Sequence, residues 1–233
     1  WGLLQTWSVD ERRPRGSLGD IGQEIAEDEE PLVEHVREAQ TFAGRLNWFA
    51  ARTRPDISLC VSQLPSAAAK APLRASELGK RCLRYLSGTK DHGILMSSSQ
   101  HPERGGAPKL EACGDASYEV GFAHTGVVVK LNGMTISWKS TKQPLVARST
   151  AESEVTAMAY ASQFLEGIAR LYHTMGVPIA TPVLYCDNRA AVRLSSGNSE
   201  WRTQALVHRM LGVKPLTDLR SLDLAYTPAP DTE

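Results

Sequence analysis

The amino-acid sequence predicts an α/β protein in which a mixed β-sheet with flanking helices follows a small helical segment. Three observations support this fold class. Residues 31–88 carry apolar side chains at spacings of three and four, the period of amphipathic helices. Residues 110–140 change to the pattern of β-strands. A long amphipathic helix then begins near Ser149 and is followed by further short strands.

The composition excludes several classes of protein. The chain has 233 residues, of which 42% are apolar and 22% charged, as in ordinary globular proteins. This length allows one or two domains with a buried core. No run of about 18 apolar residues is present, so we expect no transmembrane helix and no membrane partner. The four cysteines form no CxxC pair and indicate reduced intracellular thiols. The opening WGLLQTW, without Met or a basic region, indicates a fragment.

The net charge of zero is a sum of unlike parts. Residues 1–36 carry 3 basic and 9 acidic side chains, whereas residues 37–110 carry 12 basic and 5 acidic ones. Residues 111–233 are nearly balanced, with 11 basic and 12 acidic side chains. A basic middle segment is compatible with a nucleic-acid partner, which the average charge hides.

Four regions follow from the pattern along the chain. Residues 1–30 form an acidic leader that we expect to be disordered, and residues 31–96 form the helical segment. Within it Pro55 ends the first helix and Asp56 is expected to cap the second. Residues 97–109 are rich in Ser, Gly and Pro and are interpreted as a linker. Residues 110–233 form the α/β domain.

The α/β domain begins with three strands. We predict strands over 110–115, 121–131 and 134–140, and Asn132-Gly133 is typical of a type I′ hairpin turn. These strands form an antiparallel meander.

A long helix follows the meander. Ser149 and Glu152 match a capping box at its start, and Gly176 and Pro178 mark its end. A strand over 183–187, helices over 188–196 and 200–211, and a last strand over 222–226 complete the domain. Because parallel strands need a crossover, we expect the fourth strand beside the first and parallel to it.

Three acidic residues converge in this topology. Asp115 ends the first strand and Asp187 ends the fourth, so their carboxylates lie at the same edge of the sheet. Glu154 falls inside the apolar stripe of the long helix, whereas Glu152 falls on its flank and is explained by capping. Such an oxygen-rich pocket suits Mg²⁺ or Mn²⁺, and two such ions assist phosphodiester hydrolysis.

Long stretches of the sequence resemble one family. CGDASY, ISWKSTKQPLVARSTAESEVTAMAYA and LYCDNRAAVRLS are similar to the ribonuclease H domain of copia-type long-terminal-repeat retrotransposon Pol polyproteins. FAGRLNWFAARTRPDISLCVSQL and RCLRYLSGTKDHGILM resemble the thumb and connection segment that joins reverse transcriptase to that domain.

The resemblance implies a fold, an activity and a site. It implies a ribonuclease H-like sheet of strand order 3-2-1-4-5 and a metal-dependent endonuclease that cleaves the RNA strand of RNA–DNA hybrids. Asp115, Glu154 and Asp187 match the family's acids and would hold two Mg²⁺ (or Mn²⁺) ions. The implied partners are an RNA–DNA hybrid and the upstream reverse transcriptase domain. The implied location is intracellular, in a cytoplasmic virus-like particle or the nucleus, and not secreted.

Three features depart from the family pattern. The fourth acid of the family would follow LAYTPAPDTE, after the last residue of this sequence, so the domain is expected to be C-terminally truncated. In WRTQALVHRML, Ala205 stands where the family usually has a His, and His208 comes three residues later. The aspartate pair of the polymerase is absent from this sequence.

Other side chains are candidates for contact with the hybrid. Basic residues alternate with hydroxyl and amide side chains after the third strand, as in backbone contacts with nucleic acid; the candidates are Lys139, Ser140, Lys142, Gln143, Arg148 and Asn188. The basic helical segment is either a solvated face or a second contact surface. Cys113 and Cys186 are expected to be buried, inert thiols.

Two alternatives compete with the nuclease. The chain is either a nuclease or a catalytically inactive remnant that only binds nucleic acid or packs against the polymerase. An integrase on the same fold would need a glutamate about 35 residues after the fourth-strand aspartate. The nearest candidate, Glu200, follows Asp187 after only 13 residues.

Overall fold

The computed structural model describes residues 33–96, 106–119, 122–144, 147, 149–186 and 222–226. The chain divides into two compact units between Ile94 and Leu95. The predicted leader, most of the linker and the two helices expected over 188–211 lie outside the described residues. Within the described residues, no helix is long and apolar enough to cross a membrane.

The first unit is helical. Helix α1 spans Val33–Arg52, a 3-10 turn spans Pro55–Ile57, α2 spans Ser58–Lys70 and α3 spans Pro72–Gly88. The three helices share one apolar core that includes Phe42, Leu46 and Leu64. Gly79 of α3 lies against the Phe42 ring, where a Cβ atom would come within 2.5 Å of the ring. The predicted helical segment is therefore confirmed as a packed unit.

The predicted cap at Asp56 is wrong. Asp56 lies inside the 3-10 turn, and the residue before α2, Ile57, makes no side-chain cap bond. The carboxylate of Asp56 instead accepts hydrogen bonds from Arg54 and from the Tyr85 hydroxyl. A nearby guanidinium outcompetes the backbone N–H groups for this carboxylate because a charge-assisted, bidentate bond is stronger.

The second unit contains a five-stranded sheet. Strand β1 spans Leu110–Glu119, β2 Phe122–Leu131, β3 Met134–Lys142, β4 Val183–Cys186 and β5 Asp223–Tyr226. The strand order is β3-β2-β1-β4-β5. Strands β1, β2 and β3 pair antiparallel, whereas β1–β4 and β4–β5 pair parallel. The predicted mixed sheet and its order are confirmed.

The turn between β2 and β3 has the predicted conformation. Asn132 and Gly133 have φ angles of 50° and 82°, and both positive values are what a type I′ turn requires. Strand β1 is longer than predicted, because it pairs with β2 along its full length from Leu110 to Glu119.

One long helix, α4, spans Thr150–Thr174 and connects β3 to β4. Its start is as predicted, since the Ser149 hydroxyl accepts a hydrogen bond from the backbone N–H of Glu152 at 3.2 Å. The helix ends before Gly176, which has a φ of 69°. Its buried face forms the core of the unit with the sheet, through Val155, Met158, Leu165 and residues of β1, β2 and β4.

Candidate active site

Asp115 lies near the middle of β1 and is exposed. Its backbone pairs with Gly126 of β2, and its Oδ1 accepts a hydrogen bond from the N–H of Ala116 at 2.8 Å. The β1 side chains that belong to the core with α4 are Leu110 and Ala112, and Gly114 continues this row. Because side chains alternate along a strand, Asp115 belongs to the opposite row.

Glu154 lies in the second turn of α4 and is half-buried, with its Oε2 atom buried. One turn further along α4, Ala157 touches β1. A Cβ atom on Gly114 would lie 2.9 Å from the Ala157 carbonyl oxygen and 3.1 Å from the Ala161 Cβ. The helix therefore approaches β1 at the residue next to Asp115, and Glu154 lies three residues before Ala157 on the same side of the helix.

Asp115 and Glu154 belong to neighbouring elements but to different sides of the sheet. Glu154 is on the helix that covers one face, and Asp115 alternates away from that face. The structure brings their backbone segments together, and the convergence of their carboxylates stays a prediction.

Asp187 lies outside the described residues. In the observed register Cys113 is opposite Tyr185, so Asp115 and Asp187 each follow this pair by two residues in the sequence. Within the described ranges, no three His, Cys, Asp or Glu side chains are grouped closely enough to hold a metal ion. The chemistry of the three proposed donors, all carboxylate oxygens, fits Mg²⁺ or Mn²⁺.

The candidates for hybrid contact separate onto two faces. Ser140 is opposite Gly126, which is in turn opposite Asp115, so Ser140 and Asp115 share one row across the sheet. Lys142 is exposed and lies on the same face, two residues further along β3. Lys139 is exposed on the other face, where its Nζ lies 5.6 Å from the centre of the Tyr160 ring of α4. Arg148 and Asn188 lie outside the described residues.

Gln143 does not have the role expected from the sequence. Its residue is only 5% exposed, and its side-chain nitrogen donates to the Thr125 hydroxyl at 3.0 Å and to the Ser153 carbonyl at 2.9 Å. The side-chain amide of Gln143 therefore makes its hydrogen bonds inside the protein. The predicted contact of Gln143 with a hybrid is wrong, because the side chain is buried between β2 and α4.

Two further residues near Asp115 were not anticipated. His124 is buried and lies opposite Ser117 and Lys142, and burial, followed by the charge of Lys142, lowers the pKa of its imidazole. Cys113 is exposed, contrary to expectation, whereas Cys186 is buried as expected. Partial burial still raises the pKa of the Cys113 thiol.

Gly114 is a further position at the site that was not predicted from the sequence. A glycine inside a strand often marks a close backbone approach, and Gly114 directly precedes the proposed catalytic aspartate. That pattern was present in the sequence and predicts the contact with α4 that the structure contains.

The strand order 3-2-1-4-5, with a single long helix between the third and fourth strands, defines a ribonuclease H-like fold. No family model matches the chain. The chain is 35% identical over 162 residues to the retrovirus-related Pol polyprotein from transposon RE2 of Arabidopsis thaliana, covering 67% of this chain. It is 33% identical over 124 residues to the secreted RxLR effector protein 161 of Plasmopara viticola, covering 52% of this chain and 83% of that protein.

Solved structures are also similar to the chain. A foamy viral protease–reverse transcriptase in complex with double-stranded DNA superposes with a TM-score of 0.52 and 14% identity, covering 89% of this chain and 34% of that one. The ribonuclease H1 LC11 in complex with an RNA/DNA hybrid has a TM-score of 0.42 and 15% identity, covering 51% of this chain and 85% of that one.

The relatives of the chain include retrovirus-related Pol polyproteins of transposons from Arabidopsis thaliana and Nicotiana tabacum. The chain spans 11% of the length of the two Arabidopsis relatives.

Proposed function

We propose that this chain contributes a metal-dependent endonuclease that cleaves the RNA strand of RNA–DNA hybrids within a retrotransposon Pol polyprotein. The observation that carries the proposal is the position of Glu154. Its Oε2 atom is buried on a helix that touches β1 at Gly114, the residue before Asp115. A carboxylate at such a position is stabilised when a cation binds it.

Asp115, Glu154 and Asp187 would hold the ions. Continuing the observed β1–β4 register by two residues would set Asp187 opposite Asp115. Bound Mg²⁺ or Mn²⁺ would supply an activated water at neutral pH and stabilise charge on the phosphate. The three carboxylates themselves would orient that site against the scissile phosphate, and the 2′-OH of the substrate would distinguish RNA from DNA.

Similarity to retrovirus-related Pol polyproteins supports the proposed partners. The hybrid would be presented by the reverse transcriptase domain of the same polyprotein, and the protein would act inside the cell, in particles or in the nucleus. Ser140 and Lys142, which share a face with Asp115, are the described candidates for contact with the hybrid backbone. The basic helical unit is a second candidate surface.

The test compares cleavage of a labelled RNA–DNA hybrid by the whole chain and three variants, Asp115→Asn, Glu154→Gln and Asp187→Asn. We expect each variant to lose at least about a hundredfold in rate, because each removes a metal ligand, with little change in hybrid affinity.

Glu152→Gln is the matched control, because Glu152 lies on the same helix two residues from Glu154 and its backbone N–H serves the helix cap. Its rate should stay within about twofold of the wild type. Equal rates for Glu152→Gln and Glu154→Gln would reject the assignment of Glu154.

Binding without cleavage is the second candidate function. It is favoured by one observation, namely that Asp115 alternates away from the face covered by α4. Cleavage and binding of the same labelled hybrid by the whole chain in Mg²⁺ distinguish the two functions. If the chain binds the hybrid and does not cleave it, the chain is a binding module.

A further inference from the structure

Gln143 connects the sheet to the first turn of α4. It is the residue directly after β3, and its own backbone N–H donates to the Ala123 carbonyl at 2.7 Å. This bond extends the β2–β3 pairing by one step and fixes the backbone from which the Gln143 side chain starts. The side chain is thereby held at the edge of the sheet and not on a free loop.

The amide of Gln143 has a defined orientation. The Ser153 carbonyl only accepts hydrogen bonds, so the side-chain atom facing it at 2.9 Å must be the nitrogen Nε2. The same nitrogen donates to the Thr125 hydroxyl at 3.0 Å. Its two protons are therefore donated to two different elements, to Thr125 of β2 and to Ser153 of α4.

Both acceptors are adjacent in sequence or in register to a proposed catalytic acid. Thr125 pairs across the sheet with Ala116, the neighbour of Asp115, and Ser153 directly precedes Glu154. Thr125 and Ser153 are almost completely buried, with exposures of 1% and 0%. The side chain of Gln143 consequently links β2, at the residue opposite Ala116, to Ser153, the residue before Glu154.

We propose that Gln143 is a positioning residue that sets the start of α4, and with it Glu154, against β2 at the residue that pairs with Ala116. The inference rests on the proposed nuclease function. Ser149 caps the same helix start through the N–H of Glu152. The side chain of Gln143, by contrast, ties this part of α4 to the sheet through hydrogen bonds to Thr125 and Ser153.

The experiment uses Gln143→Met in the whole chain. Methionine has a similar length and keeps the packing, but it donates no hydrogen bond. We expect kcat for hybrid cleavage to fall about tenfold or more, because a small displacement of a catalytic group is sufficient for such a loss. KM and the affinity for the hybrid should change less than about twofold, because Gln143 does not touch the substrate.

Ser162→Ala is the matched control. It removes a buried hydrogen bond on the same helix, from the Ser162 hydroxyl to the Ala159 carbonyl at 2.9 Å, two turns further from the site. Hydrogen–deuterium exchange should rise at residues 150–156 in Gln143→Met and not in Ser162→Ala. If both variants retain wild-type kcat, or lose the same fraction of it, Gln143 has only a structural role.

A second variant tests the proposal if Gln143→Met does not fold. Gln143→Asn keeps the amide but is one methylene shorter, so it cannot reach both acceptors, and it should show the same loss in kcat. Wild-type kcat in a folded Gln143→Asn protein would overturn the proposal. If the wild-type chain itself does not cleave the hybrid, the proposed nuclease function fails first, and the positioning role fails with it.

Discussion

At the scale of the residue, Gly114 shows how one missing side chain determines the site. The helix α4 lies so close to β1 that a Cβ atom at this position would stand 2.9 Å from the Ala157 carbonyl oxygen. The neighbour is backbone and not the end of a flexible side chain, so it moves only if the helix moves. Glu154 is one turn away on this helix, and its distance from β1 therefore depends on the glycine.

We predict that Gly114→Ala destabilises the second unit by about 1–3 kcal/mol, the usual cost of overpacking a closely packed contact. Urea unfolding at neutral pH measures this loss. In the same assay Gly167→Ala, on an open surface of α4, should stabilise the protein by up to about 1 kcal/mol, because alanine favours helix. A Gly114→Ala protein as stable as the wild type would contradict the close approach.

At the scale of the element, the start of α2 is held to the end of α3 by a polar cluster around Arg54. The residue is 7% exposed, and its guanidinium donates to the Asp56 carboxylate and to the Thr89 carbonyl and hydroxyl. Tyr85 donates its hydroxyl to the same carboxylate at 2.8 Å. Burial alone would raise the pKa of Asp56, but the hydrogen bonds from Arg54 and Tyr85 outweigh it and lower the pKa.

The direction of this pKa shift predicts how stability depends on pH. A carboxyl whose pKa is lower in the folded state stabilises the protein above its unfolded pKa of about 3.9, and this contribution is lost as the pH falls below that value. We expect the free energy of unfolding of the wild type to exceed that of Asp56→Asn by about 1 kcal/mol at pH 7, because the variant loses a hydrogen bond to a charged group.

Urea unfolding of both proteins at pH 7 and at pH 3 provides the measurement for Asp56. The difference in free energy of unfolding between the wild type and Asp56→Asn should be smaller at pH 3. Tyr85→Phe, which keeps the ion pair between Arg54 and Asp56, should lose less stability at pH 7 than Asp56→Asn does. A gap of equal size at both pH values would show that the charge of Asp56 contributes nothing.

At the scale of the whole molecule, the chain consists of two compact units that meet in sequence between Ile94 and Leu95. The residues from 97 to 109 that follow this boundary are rich in Ser, Gly and Pro and contain Arg104 and Lys109. We therefore propose that residues 97–109 are a linker.

Limited trypsin digestion tests the linker. The first cut between the two units should fall at Arg104, before any cut within residues 33–90 or 110–186, because packed segments must open before they are cut. Mass spectrometry identifies the sites, and digestion in urea, where cuts should occur throughout, is the control. First cuts within residues 33–90 or 110–186 would contradict the linker.

Much of the fold was predictable because it depends on local patterns. The Asn132-Gly133 turn, the Ser149 cap and the apolar stripe of α4 each involve residues within one or two turns of each other, and all three were confirmed. Two general rules, hairpin pairing and crossover connection, predicted the places of the first four strands, and the resemblance to the ribonuclease H family implied the place of the fifth. By contrast, the end of β1 was placed at Asp115 when the strand continues to Glu119, because its extension comes from pairing with β2 and not from its own alternation.

The sequence by itself determined the order of the elements, the strand topology and the three acids proposed as the site. Only the tertiary structure decided that Asp56 joins Arg54, that Cys113 is exposed, that Gln143 is an internal bridge and that Asp115 alternates away from the α4 face. The physical reason is the separation in sequence between the residues that interact. Hydrophobic period, caps and turns are properties of neighbours in sequence, whereas the partner of a buried amide or carboxylate is chosen by packing between segments far apart in the chain.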